Sequence, residues 1–153
     1  MPLQPSTRPC VLCIDDDEDF REMLVTRLRH ELIEARAVGT AAQAISSIQT
    51  ERFDLYLLDS RLPDLDGFDL CRRIRDFDPG TPILFFSGAA LSTDRKKGLD
   101  AGANAYVVKP EIDSLIEAIT QFVGQTEMAA AQVVPFRPKM SFYPNFADGP
   151  LAA

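Results

Sequence analysis

No stretch of this 153-residue chain approaches the roughly 20 consecutive apolar residues that cross a bilayer, so membrane insertion is not expected. The first residues, Met1 to Pro9, carry Arg8 as their one basic residue and no apolar segment, so a secretory leader pattern is missing and a cytoplasmic location is the expectation. Cysteine is scarce. Cys10 and Cys13 fall in a strand pattern, where a separation of three puts them on opposite faces, and Cys71 falls in a helical one; all three are expected to be filler and not a redox or metal set. The single histidine, His30, sits late in a helical pattern and is expected at the surface. No basic patch that would offset the acidic balance is evident either. A formal net charge of -7 would repel nucleic acid and anionic lipid, so direct nucleic-acid binding is not expected. No internal repeat is visible, and the length suits one core with short additions and no second full domain.

Within that frame, apolar runs alternate with amphipathic stretches. Val11 to Ile14, Glu34 to Val38, Phe53 to Leu58, Ile83 to Phe86 and Ala105 to Val108 are the strand candidates. The first helical stripe is Phe20, Met23, Leu24, Leu28 and Leu32; the last is Ile112, Leu115, Ile116, Ile119, Phe122 and Val123. Thr40 is placed to cap a second helix, and Asp66-Gly67 to open a third. A fourth, around Ser92 to Ala101, is the weakest, with Gly98 inside it. Near-continuous apolar strands alternating with helices predict a doubly wound α/β domain, a five-stranded parallel sheet with helices on both faces. Residues 1–8 form an N-terminal extension, 9–124 the domain, and 125–153 a tail. The tail's Pro135, Pro138, Pro144 and Pro150, with Phe136, Phe142, Tyr143 and Phe146 between them, predict either a disordered extension or a docking segment.

In open parallel sheets the reactive groups collect at the carboxyl ends of the strands. Here the first strand ends in Asp15-Asp16-Asp17, the third in Asp59, the fourth in Ser87 and the fifth in Lys109-Pro110. Each residue alone has a dull explanation: a helix cap, a turn residue, a turn hydroxyl, a surface charge. Their joint placement on four strand ends carries the signal. Converging carboxylates repel one another unless a cation binds or one is protonated, and an all-oxygen set suits a hard divalent ion, Mg2+. Such an ion lets an anionic phosphoryl donor approach an anionic nucleophile. A carboxylate can be that nucleophile, with Lys109 as countercharge and Ser87 as hydrogen-bond donor.

Over Pro9 to about Val123 the chain resembles the response-regulator receiver family. The resemblance rests on Val11-Leu12-Cys13-Ile14-Asp15-Asp16-Asp17, Asp59-Ser60-Arg61-Leu62-Pro63-Asp64-Leu65-Asp66-Gly67, Phe86-Ser87-Gly88 and Ala101-Gly102-Ala103-Asn104-Ala105-Tyr106-Val107-Val108-Lys109-Pro110. It implies the flavodoxin-like strand order 2-1-3-4-5. It implies that Asp59 is the phosphoacceptor and that Asp16 and Asp59 bind Mg2+ directly with the backbone carbonyl of Arg61, Asp15 acting largely through water. It further implies that Ser87 and Lys109 hold the phosphoryl group, that Tyr106 follows Ser87 in the switch, and that Gly67 and a cis bond before Pro110 are structural. The donor would be a sensor histidine kinase or histidine phosphotransfer protein, and the signal would pass to another protein by contact, in a chain that is a signalling switch and not a conventional enzyme. Three positions depart from the usual pattern: Arg61 is long and cationic, placed to pair with the phosphoryl group or to obstruct an attacking water, Glu111 stands where an apolar residue is common, and Leu62 before Pro63 is a mild change from the familiar methionine.

Other chemistries with similar strand-end acids fail on their own motifs. A haloacid-dehalogenase-type hydrolase needs Thr or Val at the position of Asp19. A calcium loop needs a glycine where Phe20 stands and a glutamate where Thr26 stands. A flavin site would need a hydroxyl-rich phosphate loop where the three aspartates are. The competing class is a receiver-like module that binds partners without being phosphorylated.

Overall fold

A computed structural model of the chain describes residues 8–132, with side-chain surroundings given through Gly124. Strands and helices alternate: β1 (Cys10–Ile14), α1 (Glu18–His30), β2 (Glu34–Val38), α2 (Ala41–Thr50), β3 (Leu55–Leu58), α3 (Gly67–Phe77), β4 (Ile83–Ser87), α4 (Ser92–Asp100), β5 (Ala105–Val108) and α5 (Ile112–Gln132). The strands form one parallel sheet in the order β2-β1-β3-β4-β5, as the resemblance implies. β1 starts one residue before the sequence reading, at Cys10, and β4 ends one residue after it, at Ser87; two other boundaries differ by more. Phe53 is buried but outside the ladder, which begins at Leu55; just before it, Asp54 N–H donates to the Cys10 carbonyl at 2.7 Å and the Asp54 carboxylate takes the Cys10 N–H at 2.8 Å. The last helix passes through Gly124 to Gln132. One glycine costs a helix about 1 kcal/mol, too little to end it. The rest of the segment read as a tail lies outside the described residues.

Alternate strand residues feed two cores, one on each side of the sheet. Val11, Cys13, Leu55, Leu57, Leu84 and Phe86 pack with Leu24 and Leu28 of α1 and Leu115, Ile119 and Phe122 of α5. Leu12, Ile14, Tyr56, Leu58, Phe85 and Tyr106 pack with Ala41 and Ala44 of α2 and with Phe68, Leu70 and Ile74 of α3. Cys13 and Cys10 do lie on opposite faces, and Cys71 is buried in the second core. Burial pushes the Cys71 thiol up to about 11 and the Cys13 thiol higher still, which keeps both unreactive. His30 is exposed.

The helix starts are set by side-chain oxygens, as expected from the sequence for Thr40, which accepts from Gln43 N–H, and Asp66, which accepts from Phe68 N–H. The dull explanation holds for Asp17, whose carboxylate caps α1 at Phe20 N–H. Asp64 adds a cap from outside: its two oxygens take the N–H groups of Ala41 and Ala42 at 2.9 Å, tying the β3–α3 loop to the start of α2. These bonds hold its carboxyl below the usual range. In α4, Gly98 is a packing residue. A Cβ there would lie 3.0 Å from Tyr106 and 3.1 Å from Phe85, so its absence lets the helix rest on those two stacked rings.

Candidate functional site

Strand register delivers the site. Ile14 pairs with Leu58, and one step further Asp59 N–H donates to the Ile14 carbonyl while Asp15 N–H donates to the Val38 carbonyl, each at 3.0 Å. Asp15 and Asp59 therefore leave the sheet side by side, where β1 has β2 on one flank and β3 on the other; this is the topological switch point of an open sheet. Ser87 closes β4, and Lys109 N–H donates to its carbonyl at 2.9 Å. The Lys109-Pro110 bond is cis, as the resemblance implies.

Asp15 and Asp59 are 2% and 8% exposed, while Asp16 faces solvent. One carboxylate oxygen from each of the three lies within 4.8 Å of the others. Lys109 Nζ reaches Asp15 Oδ2 at 2.8 Å and Asp59 Oδ2 at 3.3 Å. Burial pushes the Asp15 carboxyl up; the Lys109 hydrogen bond and the Asp17 N–H oppose this without cancelling it. Burial pulls Lys109 down, but its hydrogen bond to Asp15 and the charges of both aspartates outweigh that, so its ammonium sits above the ordinary value and stays charged. The rings of Phe20 and Phe86 flank this ammonium at 5.3 and 5.9 Å. Against three carboxylates there is one ammonium, and the surplus negative charge on oxygen ligands fits a hard cation, with exposed Asp16 leaving a way in.

The remaining candidates are placed differently. Ser87 is buried, and its hydroxyl is engaged with Ser60 Oγ at 2.6 Å and with Ala89 N–H at 3.1 Å. Tyr106 is buried too; its ring stacks on Phe85 and its hydroxyl donates to the Ala89 carbonyl at 2.7 Å. Arg61 has an exposed side chain and donates its backbone N–H to Asp59 Oδ1 at 3.3 Å. Gly67 lies under the acceptor: a Cβ there would overlap the carbonyl oxygen of Asp59. Sequence reasoning gave no role to Ser60, to Asp64, or to Arg21, whose guanidinium donates to the Asp15 carbonyl at 2.8 Å. The one available signal was Ser60 itself, a polar residue directly after an apolar strand and an aspartate.

Comparison with known proteins agrees with this geometry. The family model for the response regulator receiver domain matches residues 11–120. The chain is 39% identical over 103 residues to the DNA-binding response regulator MtrA of Mycolicibacterium smegmatis, covering 67% of this chain and 45% of that protein. It is 34% identical over 136 residues to the probable transcriptional regulatory protein TcrX of Mycobacterium tuberculosis, covering 86% and 57%. This chain thus spans less than half the length of the first relative. Among solved structures, a CheY-like response regulator receiver domain protein from Methanospirillum hungatei superimposes with a TM-score of 0.75 at 29% identity, over 80% of this chain and 98% of that one.

Proposed function

Because the chain belongs to the response regulator receiver domain family of two-component systems, we propose that it is a phosphorylation switch whose acceptor is Asp59. The observation that carries this reading is the single ammonium of Lys109 bridging the buried Asp15 and Asp59 at the switch point of the sheet. A carboxylate oxygen of Asp59 attacks the phosphorus of a phosphohistidine on a sensor histidine kinase or histidine phosphotransfer protein; the P–N bond breaks, and the imidazole leaves with the electron pair and takes a proton. The product is an aspartyl phosphate. Asp15, Asp16 and Asp59, with the backbone carbonyl of Arg61, would hold Mg2+, which when bound neutralises phosphoryl oxygens. Lys109 already stands at Asp59 and supplies a fixed positive charge to the same oxygens. Ser87 donates its hydroxyl to the phosphoryl group, and Tyr106, linked to it through Ala89, follows.

The added group brings negative charge and acceptor oxygens, and it favours the state in which Ser87 and Lys109 converge on it. Since the phosphoryl group ends on the chain's own side chain, the protein acts as a signalling switch and not as a conventional enzyme. Its output is contact with a downstream protein, without direct nucleic-acid binding, in the cytoplasm. No helix among the described residues is long and apolar enough to cross a membrane.

The test is uptake of label from radiolabelled acetyl phosphate. Wild type is expected to incorporate label in Mg2+, to lose that capacity in EDTA, and to release the label to hydroxylamine as an acyl phosphate does. A folded chain that takes up no label would instead be the phosphorylation-independent interaction module.

A further inference from the structure

Ser60 and Ser87 are 4% and 1% exposed, and their hydroxyl oxygens stand 2.6 Å apart. We propose that Ser60 is a positioning residue that holds the Ser87 hydroxyl in its resting place, and so sets how much phosphoryl binding energy is needed to engage the switch. This rests on the phosphoacceptor reading of Asp59 above.

A hydroxyl removed from water must be bonded, and the two serines satisfy each other. Ser87 also accepts the Ala89 N–H, which leaves it a proton and one lone pair, so either serine can be the donor in the bond between them. Where Ser87 is the donor its proton is not available to a phosphoryl oxygen, and where Ser60 is the donor the bond still holds the Ser87 oxygen in its resting place. Turning Ser87 toward the phosphoryl group breaks the bond and leaves the Ser60 oxygen buried without it. The Ser60 backbone is held from following, because Gly67 N–H donates to its carbonyl at 2.9 Å and its neighbour Asp59 is hydrogen-bonded to the end of β1. The restraint reaches further through Ala89, whose N–H meets Ser87 and whose carbonyl meets the Tyr106 hydroxyl. Ser60, Ser87, Ala89 and Tyr106 thus form one hydrogen-bonded cluster from the acceptor loop to β5, in which the Tyr106 hydroxyl also faces both serines, so the serine pair and the aromatic are held together.

The experiment is a double-mutant cycle read by calorimetric titration with beryllofluoride in Mg2+, a non-covalent phosphoryl mimic, on wild type, Ser60→Ala, Ser87→Ala and the double variant. Freed of its partner, Ser87 should engage the mimic more readily, and Ser60→Ala should bind it about five- to tenfold tighter than wild type, the range a lost buried hydrogen bond represents. In the Ser87→Ala background the same substitution should change nothing. A general packing effect would move both backgrounds alike, and that result, or equal or weaker binding by Ser60→Ala beside a binding wild type, overturns the proposal. Ser60→Cys keeps the volume with a poorer hydrogen-bonding group and should shift affinity in the same direction, so a poorly folded alanine variant does not end the test. If wild type itself fails to bind beryllofluoride, the phosphoacceptor reading falls and this proposal falls with it.

Discussion

Asparagine in place of Asp59 is expected to cut phosphoryl incorporation from acetyl phosphate to background, a loss on the order of a thousandfold or more, because the attacking group itself is removed. The amide keeps the shape of the carboxylate, but its oxygen carries no formal charge and is a poor nucleophile. The fold should survive the exchange. The carboxylate divides its bonds, taking the Arg61 N–H on Oδ1 and Lys109 on Oδ2 at 3.3 Å each, so the single amide oxygen can keep one of the two and loses the other, a modest cost. Asp59 is also one of the charges that push Asp15 up, so neutralising it relieves part of the repulsion in the ion-free site. Loss of label with an unchanged or higher melting temperature is therefore the expected pair of results. Equal labelling of the variant and wild type would sink the assignment of Asp59.

A methyl group on Gly67 should be nearly as damaging by another route. Its Cβ would overlap the Asp59 carbonyl oxygen and stand 2.8 Å from Ser60 Cα and 3.0 Å from Ser60 C. These are backbone atoms and cannot swing aside as a long side chain can. Retreat of α3 is opposed as well, since Gly67 N–H is bonded to the Ser60 carbonyl at 2.9 Å. Gly67→Ala is expected to destabilise the protein by about 3 kcal/mol, a large share of the roughly 5–15 kcal/mol typical of a domain. Because the overlap is with the acceptor's own carbonyl, phosphoryl uptake should fall with it. Urea unfolding measures the first effect, with Gly80→Ala as the control, since among the described residues nothing beyond its chain neighbours lies within 4 Å of a Cβ at that position. Equal midpoints for the two variants would show that the Gly67 contact is relaxed at little cost.

Much of this architecture is legible in the sequence because it depends on local signals. Apolar strands of the right length, Thr40 and Asp66 at helix starts, and charged residues directly after strands each follow from neighbours in the chain. The meeting of Lys109 with Asp15, 94 positions apart, was visible only because both stand at strand ends of a parallel sheet. Contacts that depend on how elements lie against one another were not visible. Ser60 and Ser87 meet across 27 positions through the register of β3 and β4, and nothing in either segment announces the partner. Asp64 caps a helix that it precedes nowhere in the chain, so a search for caps by proximity passes over it. Gly98 counted against α4 by propensity, whereas the close approach of Tyr106 and Phe85 makes it the residue that lets the helix pack.

The commitment of so many aspartates to backbone N–H groups also sets a stoichiometry. Asp17, Asp64 and Asp66 lie in the same two loops as the converging acids, yet one oxygen of Asp17, one of Asp66 and both of Asp64 already serve the starts of α1, α3 and α2. What is left over is Asp15, Asp16 and Asp59, the acidic group among the described residues that could share an ion. An acidic rim that would otherwise act as a diffuse sponge for cations is reduced to one compartment. Calorimetric titration with Mg2+ should accordingly resolve one ion per chain at that group, and a second equivalent of similar affinity would show that the capping acids bind cations as well.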